Sequence, residues 1–216
     1  MKIQLNKEQK EAVELFYKKD IVFLLGDFGS GKTLCAVHTA LEYLDKKECS
    51  NIWITRPILK NNLSTLPGTL EEKMEPYIFP IKQNIEICKG KDRMDRMLKS
   101  GSVKIMPIEV SKGVTFMNSV VIVDEFQDMV YSDFRNILTR LGEGSKIIFC
   151  GSEEQIDKQI GGKSCISKVK MLRNHADVGF IELKSNHRNK SLTSVLNTLD
   201  GKQKTKESNW NQTKTF

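Results

Sequence analysis

The sequence predicts an α/β fold in which a mostly parallel sheet is covered by helices on both faces. Three observations carry this reading. Short continuous apolar runs, such as Ile21-Val22-Phe23-Leu24-Leu25 and Val120-Val121-Ile122-Val123, have the composition of strands buried on both sides. They alternate with segments of helical character, as parallel sheets require. The polar motifs gather at the ends of the runs: two runs end in glycine and one ends in a pair of acids. Open parallel sheets bind ligands at the carboxyl ends of their strands.

Taken in order, residues 5–17 read as a helix, with Asn6 as N-cap and Gln9, Val13 and Phe16 near helical spacing. A strand follows over 21–25 and a helix over 33–44. The second strand is 52–55. The stretch 56–99 is mixed and punctuated by Pro57, Pro67, Pro76 and Pro80, so it reads as an insertion of loops and helices, with helical composition over 92–99. Strands are expected over 103–106, 120–123, 146–150 and 179–183, and helices over 133–141 and 192–199. The expected organisation is one domain over 1–200 carrying an insertion over 56–102. Residues 201–216 form a polar, lysine-rich tail expected to be disordered.

Composition bounds the function. Apolar residues make up 39% and charged residues 28% of the chain, within the range of soluble globular proteins. No apolar run approaches the roughly 18–20 residues needed to span a bilayer, and the first six residues carry no signal-peptide core, so the expectation is a cytoplasmic protein with no membrane partner. The five cysteines are odd in number and lack C-x-x-C spacing, which argues against a disulfide framework or a zinc site. The formal charge of +7 is compatible with a nucleic-acid partner. Part of the surplus lies beyond residue 184, where it serves a basic contact or only solubility.

Gly26-Asp27-Phe28-Gly29-Ser30-Gly31-Lys32-Thr33 fits G-x-x-x-x-G-K-[ST] at every defined position, after a strand and at the start of a helix. Glycines let the backbone wrap a phosphate with its N–H groups inward, and the helix N-terminus adds partial positive charge. Lys32 can reach the β- and γ-phosphates and Thr33 can offer a hydroxyl to magnesium. The expected ligands are therefore ATP and Mg²⁺, held over residues 26–33 and the adjoining Leu34. Asp124 and Glu125 end the fourth predicted strand. Two acids there can simply cap a strand; beside a P-loop, Asp124 suits the metal and Glu125 the general base that activates water.

Three further polar residues are candidates, each with an alternative. Gln155, just past the fifth strand, can contact the γ-phosphate or the attacking water, or lie on a surface loop. Gln9 can pair with donor and acceptor groups on adenine, or be a solvated helix residue. Arg188, beyond the sixth strand, can neutralise charge on the γ-phosphate, or be a surface arginine.

The residues resemble the PhoH-like proteins, ATPases whose core is related to the superfamily 1 helicases. The resemblance runs from about Gln9 to Leu199. It rests on the P-loop, Thr55-Arg56-Pro57, Leu66-Pro67-Gly68, Pro76-Tyr77, Val123-Asp124-Glu125-Phe126-Gln127-Asp128, Leu138-Thr139-Arg140 and Gly151 with Gln155-Ile156-Asp157. It implies a RecA-like P-loop NTPase fold and supports the roles given to Lys32, Thr33, Asp124, Glu125 and Gln155. It also puts Arg188 in the place of the family's late arginine. The chain departs from the family at Ser152, usually aspartate, and at Asn189-Lys190, often His-Pro.

The resemblance also implies an RNA-helicase-like activity and, by name, a link to phosphate starvation. One reading is an ATPase acting on single-stranded RNA or DNA, with Arg56, Lys60 and Lys112 available to touch its phosphates. Two RecA-like domains are needed to translocate as those helicases do, and the chain has room for one, so either subunits assemble into a homo-oligomeric ring or the protein does not translocate. The competing reading is an ATP-gated interaction protein. A small-molecule kinase fits poorly, because Asp124-Glu125 is a hydrolase-like pairing.

Overall fold

The structure is a computed structural model, and it describes residues 3–58, 70–153, 155–158, 160–185, Val195 and Thr198. The predicted parallel sheet is present. Six strands, β1 (Ile21–Gly26), β2 (Asn51–Arg56), β3 (Val103–Pro107), β4 (Ser119–Asp124), β5 (Lys146–Gly151) and β6 (Val178–Leu183), form one sheet in the order β3-β2-β4-β5-β1-β6. All five pairings are parallel. β5 thus separates the P-loop strand from the strand ending in Asp124, and Asp124 lies opposite Cys150 in register.

Strand alternation sends successive side chains to opposite faces, and each face has its own core. Val22 and Leu24 face a cluster built with α1 (Lys7–Lys18), α2 (Lys32–Asp45), α3 (Leu70–Lys89) and α4 (Lys91–Ser100). Phe23 and Leu25 face the other, which includes Phe134 and Ile137 of α5 (Tyr131–Leu138) and Ile166 and Val169 of α6 (Ile166–Lys170). On that face the Phe23 ring stacks between Phe149 at 4.8 Å and Phe180 at 4.6 Å, so three adjacent strands are registered by aromatic contact.

α1 begins where the sequence places its cap. Asn6 Oδ1 accepts from Gln9 N at 2.8 Å and Gln9 Oε1 accepts from Asn6 N at 3.1 Å, a reciprocal capping box. α3 departs from the sequence reading: Pro76 and Pro80, taken as breaks, lie inside a helix of 20 residues. An interior proline costs about 3 kcal/mol. Against that, Ile81 and Ile85 lie one turn apart, fully buried, and each such burial returns roughly 1.5–3 kcal/mol. The predicted helix over 133–141 forms as α5, displaced two residues toward the N-terminus; residues 139–141 turn into a bridge between Phe116 and Leu141. Of the helix predicted over 192–199, Val195 and Thr198 are helical and the remainder lies outside the described residues, as does the tail. No helix among the described residues is long and apolar enough to cross a membrane.

Candidate functional site

The site is assembled at the carboxyl ends of β1, β4, β5 and β2. From β1 the chain turns through Gly29 and Gly31, both at φ +81°, into α2. Few residues other than glycine hold that conformation. Gly31 gives α2 no side-chain cap and the first turn of α2 has no acidic residue, so its N-terminal dipole faces the loop without a built-in counter-charge. Lys32 Nζ folds back into the loop and donates to Gly26 O at 2.7 Å and Asp27 O at 2.9 Å. The ammonium thus stands inside the ring of backbone that would enclose a phosphate. Burial lowers its pKa, against the opposing pull of Glu125, Asp124 and Asp27. Ser30 is buried and its hydroxyl donates to Asp27 O at 2.8 Å, which closes the loop on itself. Phe28 is half-exposed at the tip, and Leu34 is half-buried at the start of α2.

β4 delivers two acids with different surroundings. Asp124 is buried, and Thr33 Oγ1 donates to its Oδ1 at 2.8 Å. Burial pushes the Asp124 carboxyl up to about 6, and the charge of Glu125 adds to the rise; Thr33, Arg56 and Lys32 oppose it. Glu125 turns at φ +53°, ψ +44°, in the left-handed region, and breaks from the strand into a 3₁₀ turn over Phe126–Asp128. A non-glycine residue held there costs about 1–3 kcal/mol, and such strain persists only where the surroundings hold it. Here Asp128 N donates to Glu125 O at 3.0 Å, Gln127 Nε2 donates to Glu125 Oε2 at 2.7 Å, and Phe126 is fully buried.

Arg56, which the sequence offered to nucleic-acid phosphates, instead faces these acids. Its Nη1 lies 3.9 Å from Asp124 Oδ2 and its Nη2 lies 3.9 Å from Glu125 Oε1. Lys112 pairs with Asp133 at 3.3 Å. Lys60 lies outside the described residues. Gln155 reaches back to the P-loop, Nε2 donating to Asp27 Oδ1 at 3.4 Å. Gln9 is not the solvated helix residue that its spacing also allowed. Its side chain is buried in the α1 cap, and its carbonyl accepts from Cys35 Sγ of α2 at 3.7 Å. Arg188 lies outside the described residues. Sequence reasoning missed Glu8, whose Oε2 accepts from Lys184 N at 2.9 Å and Ser185 N at 3.1 Å, tying the start of α1 to the segment leading to Arg188.

The donor set suits a hard cation. Among the described residues no group of three or more His, Cys, Asp or Glu converges as a protein-only metal cage. One hydroxyl and one carboxylate facing each other is the arrangement that magnesium uses when phosphates and water complete its shell. A cleft of about 590 Å³ flanks the loop and is lined by Gly26, Asp27, Ser152, Glu153, Lys170 and Arg173. A larger groove of about 1070 Å³ lies between α1 and α2, lined by Val13, His38 and Glu42 and by none of the P-loop residues or the Asp124-Glu125 pair. The candidate site is therefore the loop, where Lys32 and Thr33 approach the two acids.

Comparison with known proteins bears on the family and the fold. The family described as PhoH-like protein matches residues 3–200. A PhoH-like protein of Bacillus subtilis is 36% identical over 178 residues, covering 81% of this chain and 56% of the relative. Protein PhoH of Escherichia coli is 34% identical over 166 residues, covering 75% and 47%. The chain therefore spans about half the length of these relatives. Among solved structures, the large terminase of a thermophilic bacteriophage superposes with TM-score 0.58 at 12% identity, covering 90% of this chain and 50% of the terminase. The same terminase in complex with ADP gives TM-score 0.57, with the same identity and coverage. The UvsW helicase of bacteriophage T4 gives 0.51 at 14% identity, covering 83% and 60%. These likenesses establish the fold, a RecA-like P-loop NTPase. With the family matching nearly the whole chain and relatives above 30% identity, the chain belongs to the PhoH-like protein family.

Proposed function

We infer that this protein hydrolyses ATP in a magnesium-dependent reaction, coupled to single-stranded nucleic acid. The single observation that carries the hydrolytic reading is the division of labour between two adjacent acids. Asp124 is buried against the P-loop hydroxyl of Thr33, and Glu125 is turned out of the strand and held beside it. A kinase needs an acceptor site at this point; a hydrolase needs a carboxylate that can take a proton from water.

In this reading the backbone of residues 26–31 and the N-terminus of α2 bind the phosphates, and Lys32 exchanges its bonds to Gly26 O and Asp27 O for phosphate oxygens. Thr33 and Asp124 would hold the metal, which when bound neutralises charge on the β- and γ-phosphates. Glu125 orients a water and accepts its proton as the oxygen–phosphorus bond forms. The bond between γ-phosphorus and the bridging oxygen breaks, leaving ADP and phosphate. Gln155, which donates to Asp27 Oδ1, would report whether the γ-phosphate is present. Gln9 would pair with adenine by giving up its bond to Asn6 N, and Leu34 would adjoin the nucleotide at the start of α2. Arg188 would act as a finger on a neighbouring subunit in a closed ring.

Coupling to nucleic acid is supported by the charge of +7 and by the resemblance of the motifs to helicase cores, and the fold neighbours include a helicase. The test is steady-state ATPase activity with and without single-stranded RNA or DNA. Several-fold stimulation supports the coupled ATPase. Turnover that ignores both nucleic acids supports an ATP-gated interaction protein, and absence of turnover in all conditions removes the hydrolytic reading.

A further inference from the structure

We propose that Gln127 is a positioning residue that fixes the Glu125 carboxylate and couples its orientation to the loop after β5, which carries Gln155. The inference rests on the reading of Glu125 as the base, and adds a residue and a route to it.

Gln127 follows Glu125 by two residues, yet its side chain is buried and both ends of its amide are used. Nε2 donates to Glu125 Oε2 at 2.7 Å, and Oε1 accepts from Ser152 N at 3.1 Å. One planar group therefore joins the carboxylate on the turn after β4 to the backbone at the end of β5. The amide's polarity matters at both ends: a carboxylate needs a donor and a backbone N–H needs an acceptor, and a side-chain amide supplies both from one rigid plane. Gly151 makes room for it. A Cβ there would stand 2.7 Å from Phe126 Cδ1 and closer still to Gln127 Oε1, so the amide could not stay where it is.

The two segments are tied at further points. Asp157 N donates to Asp128 Oδ1 at 2.9 Å, Ser164 Oγ donates to Gln127 O at 2.5 Å, and Cys165 N donates to Met129 O at 2.8 Å. The turn bearing Glu125 and the loop bearing Gln155 are thus fastened to each other, while Gln155 itself reaches Asp27 of the P-loop. A displacement of Gln155 by a γ-phosphate would be carried through Ser152 and Gln127 to Glu125. On its other side the carboxylate faces Arg56, which stands 3.9 Å from Oε1 and is too distant for a hydrogen bond, so the close contact that orients Glu125 is the one from Gln127.

The experiment compares wild type, Gln127→Met and Gln127→Glu, with Glu125→Gln as the control for the base. Each folded protein is measured for ATP affinity by equilibrium binding and for kcat. Gln127→Met keeps the length and removes both hydrogen bonds. Gln127→Glu keeps an acceptor for Ser152 N and replaces the donor to Glu125 with a repelling oxygen, so it carries the test if the methionine variant does not fold. The expected result is a kcat reduced about tenfold or more, with ATP affinity within about threefold of wild type. A kcat within about twofold of wild type in a folded Gln127→Glu protein, while Glu125→Gln is inactive, overturns the positioning role and leaves the base intact. Turnover retained by Glu125→Gln overturns the base reading and this inference with it. Loss of stability with kcat unchanged in the folded protein would make Gln127 structural only and also overturns the proposal.

Discussion

Thr33 and Asp124 meet across the mouth of the P-loop, the hydroxyl of Thr33 donating to Asp124 Oδ1 at 2.8 Å although the two residues are 91 positions apart in the chain. The sheet order brings them together: one strand separates β1 from β4, so the start of α2 leans over the end of β4. In this structure the pair satisfies itself. Under the proposed function, nucleotide and metal enter by replacing that bond and the two that Lys32 makes to the loop.

Removing the ammonium tests the cradle. Lys32→Ala should keep the fold, because the side chain's hydrogen bonds are to the loop's own carbonyls, and lose ATP binding or turnover. The check is nucleotide binding on protein shown by its far-ultraviolet dichroism to be folded. Normal ATPase activity in that protein would remove the site assignment.

Asp124 should destabilise the ligand-free protein at neutral pH. Its carboxyl ionises near 6 in the folded chain, against 3.8 as the ordinary value. A raised folded pKa means that the native state holds the proton more tightly than the unfolded chain does. This group's contribution is therefore fully present below about pH 3.8 and is lost as pH rises through about 6. Asp124→Asn keeps an acceptor for Thr33 and removes the buried charge, so it should stabilise the ligand-free protein at pH 7 by about 1–3 kcal/mol. Urea unfolding at pH 5 and pH 7 checks this, and the advantage of the variant should be smaller at pH 5. A variant less stable than wild type at pH 7 would contradict it.

Under the proposed function, Arg56 would compete with the metal for Asp124. Its guanidinium is partly exposed and 3.9 Å from each acid, so the competition is worth about 0.5–1 kcal/mol. Arg56→Gln should lower the Mg²⁺ concentration needed for half-maximal nucleotide binding about two- to fivefold. A higher magnesium requirement would show that Arg56 assists metal binding.

Nucleic-acid affinity should fall with salt. Three or more contacts from lysine or arginine to single-strand phosphates would lose about tenfold or more in affinity between about 50 and 200 mM salt. Anisotropy of a labelled oligonucleotide measures it. Salt-independent binding would point to base stacking in place of phosphate contact, and no binding would remove the partner.

The parts of the site legible in the sequence are those written in consecutive residues. Residues 26–33 and Asp124-Glu125 each announce a chemistry by type and local spacing, and their strands are continuous apolar runs, so the sheet that brings them together could be foreseen. What could not be read is direction. Arg56 ends a strand, and nothing in Thr55-Arg56-Pro57 says that it turns toward Asp124 and Glu125 and not toward solvent. Gln127 stands inside the string 123–128, but its role could not be read there, because its second partner, Ser152 N, comes from another strand end 25 residues away. Gln9 has one obvious short-range partner, Asn6, and the capping box could have been found from the Asn-x-x-Gln spacing. The prolines of α3 misled because local rules say break, whereas the burial of Ile81 and Ile85 is a tertiary effect.

The most direct test of the account is single-turnover hydrolysis of γ-labelled ATP by wild type and by Glu125→Gln, with ATP binding measured on the same preparations. The amide keeps the size of the side chain and removes the proton acceptor. The account predicts that Glu125→Gln binds ATP with magnesium within about threefold of wild type while its rate of phosphate release falls about 100-fold or more. A variant that still turns over within about threefold of wild type would contradict it, since the carboxylate held beside Asp124 would then not be the base.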